Sequence, residues 1–84
     1  MSDTLHIEKK VSRQIEKFPK TVIAKILEAF DKVQMDPRCL GSKKLQGRDG
    51  YRFRVGDYRI LYLIDDKNHE VVVYTILHRK DVYR

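Results

Sequence analysis

Three arginines in this 84-residue chain have the spacing of a phosphate site. Arg52 and Arg54 alternate with apolar residues, as on one face of a strand, and Arg59 follows the pair Gly56-Asp57, which is typical of a two-residue hairpin loop. That loop sets Arg54 opposite Arg59, where like charges destabilise a sheet by about 0.2–1 kcal/mol. Because guanidinium groups bind phosphate in bidentate fashion, an anion would turn this repulsion into attraction. The alternative is that acidic side chains from elsewhere in the fold pair with the arginines.

Two side chains that can transfer protons lie near the C-terminal end of the sequence. His78 offers an imidazole and Tyr83 a phenol, and the cations Arg79 and Lys80 lie between them. The spacing also fits an exposed loop histidine and a tyrosine that packs the chain terminus. Both interpretations stay open at the level of residue pattern.

The positive charge is concentrated in the middle of the chain. The whole sequence has 18 Lys and Arg against 12 Asp and Glu, a net charge of +6. Residues 38–62 contain seven of the basic and two of the acidic side chains, a net +5. A localised basic patch favours a polyanion or an acidic partner segment, although a solvated surface would have a similar composition.

Length and composition exclude several protein classes. Residues 1–84 suffice for one small domain, and 42% hydrophobic with 36% charged residues is typical of a folded, soluble chain. No uncharged run is long enough to span a bilayer, and the N-terminus has no secretion-signal pattern, so we expect a cytoplasmic protein without membrane contact. The lone Cys39 and three scattered histidines predict no disulfide, no metal site and no cofactor.

The first half of the sequence predicts a short strand followed by two helices. Residues 4–8 alternate as a strand does, and Val11, Ile15 and Phe18 then recur at helical spacing. Pro19 separates this helix from a longer amphipathic helix that stops before Pro37.

The second half predicts the sheet on which those helices pack. Residues 38–50 contain three glycines and are predicted to be a loop, and strands are expected over 51–55, 58–64 and 71–77. The predicted fold class is α+β with the order β-α-α-β-β-β: an N-terminal strand, a helix hairpin and a three-stranded antiparallel meander, with the helices on one face of the sheet.

Taken together, these segments resemble the RelE/ParE toxin superfamily, and within it the RelE branch. The resemblance covers nearly the whole chain and is carried by Phe18-Pro19-Lys20, Asp36-Pro37, Lys44-Leu45-Gln46-Gly47, the hairpin over residues 51–62, and His78-Arg79-Lys80-Asp81-Val82-Tyr83. The arginine-rich hairpin followed by the His-Arg and Val-Tyr ending is its most specific part.

The resemblance implies a single RelE-like toxin domain over residues 1–84, from a type II toxin–antitoxin pair. It implies a ribosome-dependent, metal-independent endoribonuclease that cleaves mRNA when the substrate 2′-OH attacks the adjacent phosphate. The implied partners are a cognate RelB-like antitoxin, the ribosome and mRNA, with no cofactor.

The resemblance also assigns roles to individual residues. The implied catalytic residues are Arg59, Arg79, His78 and Tyr83. The implied RNA- and phosphate-binding residues are Lys44, Arg52 and Arg54. Leu77 departs from the pattern, because many relatives have glycine there.

Two other functions remain compatible with the sequence. The ParE branch shares the fold and is known for inhibiting DNA gyrase without enzymatic activity. An inactive, toxin-like RNA-binding module is the other alternative. The full set of arginines together with the terminal tyrosine favours the enzyme.

Overall fold

The helices of this protein lie on one face of a five-stranded sheet. The computed structural model describes residues 3–82, with side chains as far as Lys80. The elements in chain order are β1 (Thr4–Ile7), α1 (Lys9–Glu16), α2 (Lys20–Met35), β2 (Ser42–Lys44), β3 (Tyr51–Val55), β4 (Tyr58–Asp65), β5 (Glu70–His78) and α3 (Arg79–Val82). The strand order is β1-β5-β4-β3-β2, with β1 parallel to β5 and the other pairs antiparallel. The predicted α+β fold is confirmed.

Two short elements were missing from the predicted order. The loop predicted over residues 38–50 contains β2, whose three residues pair with β3. One helical turn, α3, follows directly on β5. Both elements border the hairpin that carries the arginines. Among residues 3–82, the structure has no helix with the length and apolar character needed to cross a membrane.

Proline positions set the limits of α2, as the sequence predicts. Pro19 is the N-cap, and its carbonyl accepts hydrogen bonds from the N–H groups of Val22 and Ile23, both at 3.0 Å. The missing N–H of proline costs nothing at the start of a helix. The helix ends at Met35, two residues before Pro37, whose ring disfavours helical backbone at the preceding position.

The core lies between the helices and the sheet face that they cover. Ile26, Phe30 and Val33 of α2 are buried against the sheet, together with Val11 of α1. The sheet contributes Phe53, Ile60, Tyr62, Val71, Val73 and Ile76. Because side chains alternate along a strand, burial of this set turns the intervening residues of β3 and β4 away from the helices.

The β3–β4 hairpin has the predicted register. Val55 pairs with Tyr58, Arg54 with Arg59 and Phe53 with Ile60. Of the two loop residues, only Gly56 has a positive φ, +55°. This is the pattern of a type II′ turn, which matches the twist of the strands that it joins.

The outer edge of β5 is covered by two different elements. β1 pairs with Glu70–Val73, and α1 crosses the edge beyond that point. There Gln14 Nε2 donates to the carbonyl of Ile76, and Gln14 Oε1 accepts from the Ile76 N–H, both at 3.1 Å. One carboxamide therefore satisfies both backbone groups of that residue.

Candidate phosphate-binding site

Three guanidinium groups lie on the sheet face that the helices leave open. We call Arg52, Arg54 and Arg59 the arginine face. Arg54 pairs with Arg59, and Arg52 pairs with Leu61, so all three share the side opposite the core. The structure brings these three predicted site residues together as the hairpin pattern indicated.

The arginine face has no carboxylate partner among the residues that the structure describes. The ion pairs in that part of the chain are Arg38 with Asp66 and His6 with Glu70. Arg54 donates from Nε to the carbonyl of Gly56 at 3.2 Å, a contact with a neutral acceptor that supplies no negative charge. Pairing with acidic side chains from elsewhere in the fold is therefore not found between residues 3 and 80.

Arg79 joins the arginine face through the hairpin loop. Its backbone N–H donates to the carbonyl of Asp57 at 2.6 Å, which fastens the start of α3 to the β3–β4 loop. The result is a cleft of about 160 Å³ lined by Arg54, Gly56, Asp57, Arg59 and Arg79, which we call the basic cleft. A concave surface lined by three guanidinium groups concentrates positive potential and suits a phosphoryl group.

His78 lies beside the basic cleft. It pairs with Tyr58, on the helix face of the sheet, and its ring meets the Tyr58 ring edge-on at 5.0 Å between centroids. The depression that His78 lines shares Asp57 and Arg79 with the basic cleft. His78 Nδ1 accepts a hydrogen bond from the Lys80 N–H at 3.1 Å, so the neutral ring carries its proton on Nε2.

The two lysines of β2 lie on opposite faces of the sheet. Lys44, expected to bind RNA, pairs with Tyr51 on the helix face. Lys43 pairs with Arg52 and joins the arginine face. Sequence alone does not predict the place of Lys43, because its segment has the composition of a loop, where alternation does not apply. Tyr83, the remaining predicted site residue, lies outside the described residues.

The segment that leads into β2 is held by side-chain contacts at the open end of the β3–β4 hairpin. Tyr62, fully buried, donates its hydroxyl to the carbonyl of Pro37 at 2.7 Å, and burial raises the pKa of Tyr62 to about 12. Arg38 donates to both carboxylate oxygens of Asp66, at 2.9 and 2.8 Å, and from Nε to the Tyr51 hydroxyl at 3.1 Å. The Arg38 guanidinium lowers the pKa of the Asp66 carboxyl. These contacts fix where β2 begins and therefore where Lys43 lies.

Within the described part of the chain, His, Cys, Asp and Glu side chains form no group of three or more that could hold a metal ion. Three of the five residues that line the basic cleft carry guanidinium groups and one, Asp57, carries a carboxylate, so the cleft favours an anion. Its chemistry is therefore that of binding a phosphoryl group and stabilising negative charge on it.

Comparison with known proteins gives matches over nearly the whole chain. A family model described as the ParE toxin of type II toxin–antitoxin systems matches residues 2–83. Toxin RelG of Mycobacterium tuberculosis is 33% identical over an 88-residue alignment that covers 100% of this chain and 99% of the relative. A RelBE toxin–antitoxin complex of the same organism contains a chain that is 29% identical, with a TM-score of 0.82, over 94% of this chain and 100% of that one. An archaeal RelE–RelB complex from Pyrococcus horikoshii contains a chain that is 28% identical, with a TM-score of 0.82. The match covers 94% of this chain and 97% of that one.

Proposed function

Because this chain belongs to the RelE/ParE superfamily of toxins from type II toxin–antitoxin systems, we propose that it is a ribosome-dependent endoribonuclease of the cytoplasm. It cleaves mRNA without a metal, through attack of the substrate 2′-OH on the adjacent phosphate. The observation that supports this most directly is the basic cleft, where Arg54, Arg59 and Arg79 converge. The proposed domain organisation is a single RelE-like domain over residues 1–84.

In this proposal the three arginines of the basic cleft stabilise the reacting phosphate. Negative charge grows on the phosphoryl oxygens as the 2′-oxygen attacks, and fixed guanidinium groups oppose that charge without having to reorganise. Removal of one such contact typically slows a reaction by about 10²–10³-fold. Alignment of the 2′-oxygen with the leaving 5′-oxygen requires the RNA to be held still, which we assign to the ribosome and the arginine face together.

Tyr83 and His78 are assigned the two proton transfers. In this assignment His78 acts in its imidazolium form, which donates a proton to the leaving 5′-oxygen and becomes neutral. The remaining step, removal of the 2′-OH proton, falls to Tyr83. The step balances: the 2′-oxygen gives its proton to the Tyr83 phenolate and forms a bond to phosphorus, the bond to the 5′-oxygen breaks, and the 5′-oxygen takes a proton from His78.

The proposed partner is a RelB-like antitoxin encoded with the toxin. Both similar structures are complexes of a toxin with its antitoxin. The net +5 of residues 38–62 and the uncompensated arginine face favour an antitoxin segment that carries carboxylates and orders on binding.

The experiment that tests the proposal is sequencing of mRNA ends in cells shortly after induction of the toxin. We expect new ends within translated codons, and their absence when Arg59 is replaced by alanine. New ends outside translated regions would contradict the requirement for the ribosome.

The description of the matching family model favours a second candidate, a ParE-like inhibitor of DNA gyrase that is not an enzyme. The same cells distinguish it, because DNA damage without mRNA cleavage would replace the first proposal with this one. If neither mRNA cleavage nor DNA damage occurs, the protein is an inactive, toxin-like RNA-binding module.

A further inference from the structure

A second depression adjoins the basic cleft on the open face of the sheet. It measures about 300 Å³ and is lined by Gly41, Lys43, Arg52, Arg54 and Arg59; we call it the β2 cleft. Arg54 and Arg59 line both clefts, so the two depressions share a wall.

The β2 cleft has its own pair of cations. Lys43 and Arg52 lie directly opposite each other in the β2–β3 pair, and within residues 3–80 neither forms an ion pair. Like charges opposed in this way destabilise a strand pair, and β2 has only three residues with which to offset that cost. A lysine on an edge strand also discourages pairing with other chains. Lys44 could discourage such pairing equally well. Protection of the edge also does not explain why an arginine lies opposite Lys43 or why a depression lies between the two.

The spacing of the two clefts matches a chain of phosphates. Arg52 and Arg54 are two residues apart on one strand, a separation of about 6.6 Å between their Cα atoms. That is the order of the distance between neighbouring phosphates in an extended nucleic acid strand. One nucleic acid strand can therefore place successive phosphates in the two clefts without a sharp bend.

We propose that the β2 cleft binds a second phosphate of the same RNA strand, adjacent to the reacting one, with Lys43 and Arg52 as its ligands. The inference rests on the proposed function for the identity of the RNA, and it extends that function with a direction: the RNA runs from the end of α3 towards β2. The second contact fixes the strand on both sides of the shared wall, which positions the reacting phosphate between Arg54 and Arg59.

The test is the salt dependence of binding to an uncleavable RNA, a 2′-O-methylated single-stranded hexanucleotide, without ribosomes. Each phosphate contact adds about 0.7 to the slope of log K against log salt concentration. We expect Lys43→Ala to make the slope shallower by about 0.7 and Lys43→Arg to retain the wild-type slope. The matched control is Lys25→Ala on α2, which removes the same charge from the helix side of the sheet and leaves the slope unchanged. Circular dichroism verifies that each variant folds.

A wild-type slope for Lys43→Ala overturns the inference, as does a hexanucleotide that does not bind at all. An equal change in Lys25→Ala also overturns it, because the effect would then belong to net charge. Lys44→Ala decides between the two β2 lysines: loss of the contact there and not at Lys43 would reverse the assignment. Failure of the proposed function alone would give another result: mRNA would stay intact in cells, while the salt dependence of RNA binding would still change in Lys43→Ala.

Discussion

Arg54 and Arg59 face each other across β3 and β4, and no carboxylate between residues 3 and 80 lies in ion-pair range of either. The free protein therefore holds two cations together at a cost to its own sheet. An anion that lies between them removes the repulsion and adds charge-assisted hydrogen bonds.

We expect pyrophosphate to raise the melting temperature of the protein by binding this pair. At about one hundred times its Kd, a ligand of the folded state adds about 2.7 kcal/mol to the free energy of unfolding. Arg59→Ala should respond much less, while Arg13→Ala, which removes an arginine from α1, should respond like wild type. Equal responses from all three proteins in thermal unfolding would show that the anion acts elsewhere.

Arg59→Ala should slow mRNA cleavage by about 10²-fold or more while the protein stays folded. Removal of one of two opposed cations relieves about 0.2–1 kcal/mol of repulsion, so the free energy of unfolding should hold or rise. Cleavage of a translated message in a cell-free system measures the first effect and chemical denaturation the second. A variant that unfolds readily would make Arg59 structural, and wild-type cleavage would make it incidental.

Tyr83→Phe should fold, bind antitoxin like wild type and lose most mRNA cleavage. The substitution keeps the ring and removes only the hydroxyl, so it separates proton transfer from packing. The comparison is His78→Ala in the same cell-free assay. Full activity of Tyr83→Phe with loss in His78→Ala would move the removal of the 2′-OH proton to the imidazole.

Tyr62→Phe should lower the free energy of unfolding by about 1–3 kcal/mol at neutral pH, because the half-buried Pro37 carbonyl loses its donor. The raised pKa of Tyr62 makes this difference depend on pH. Between its ordinary value of 10.0 and about 12, the unfolded chain loses the phenol proton while the folded chain keeps it, so wild-type stability falls as pH rises. Phenylalanine lacks this proton, so the difference in free energy of unfolding between wild type and Tyr62→Phe should narrow from pH 10 upwards. Parallel denaturation curves against pH would contradict the assignment.

Expression of the toxin alone should arrest growth, and co-expression with a small protein encoded next to it should restore growth. The physical reason is that carboxylates of the partner occupy the arginine face and compete with RNA. Competition is checked by titration of the uncleavable hexanucleotide with purified antitoxin. Growth without arrest, or simultaneous binding of RNA and antitoxin to one toxin, would count against this model.

The arginine face could be predicted from sequence because two local rules suffice for it. A two-residue loop fixes the register of the strands on either side, and alternation then assigns Arg54 and Arg59 to one face. The position of His78 required information that no local rule supplies. A longer turn joins β4 to β5, and the irregularity between Leu61 and Tyr62 shifts the register.

β2 escaped prediction for a different reason. Its three residues lie in a glycine-containing segment that is too short for alternation to be recognised, and it becomes a strand only by pairing with β3. Arg79 enters the basic cleft through a hydrogen bond between backbone groups, which side-chain patterns do not reveal.

The carboxamide of Gln14 has a consequence for assembly. A strand edge with unpaired N–H and C=O groups recruits strands from other molecules, and β1 leaves β5 open beyond Val73. Gln14 occupies the position that a foreign strand would take at Ile76, donating and accepting as a peptide group does. One side chain thus keeps a strand of a neighbouring copy from adding to β5 at Ile76.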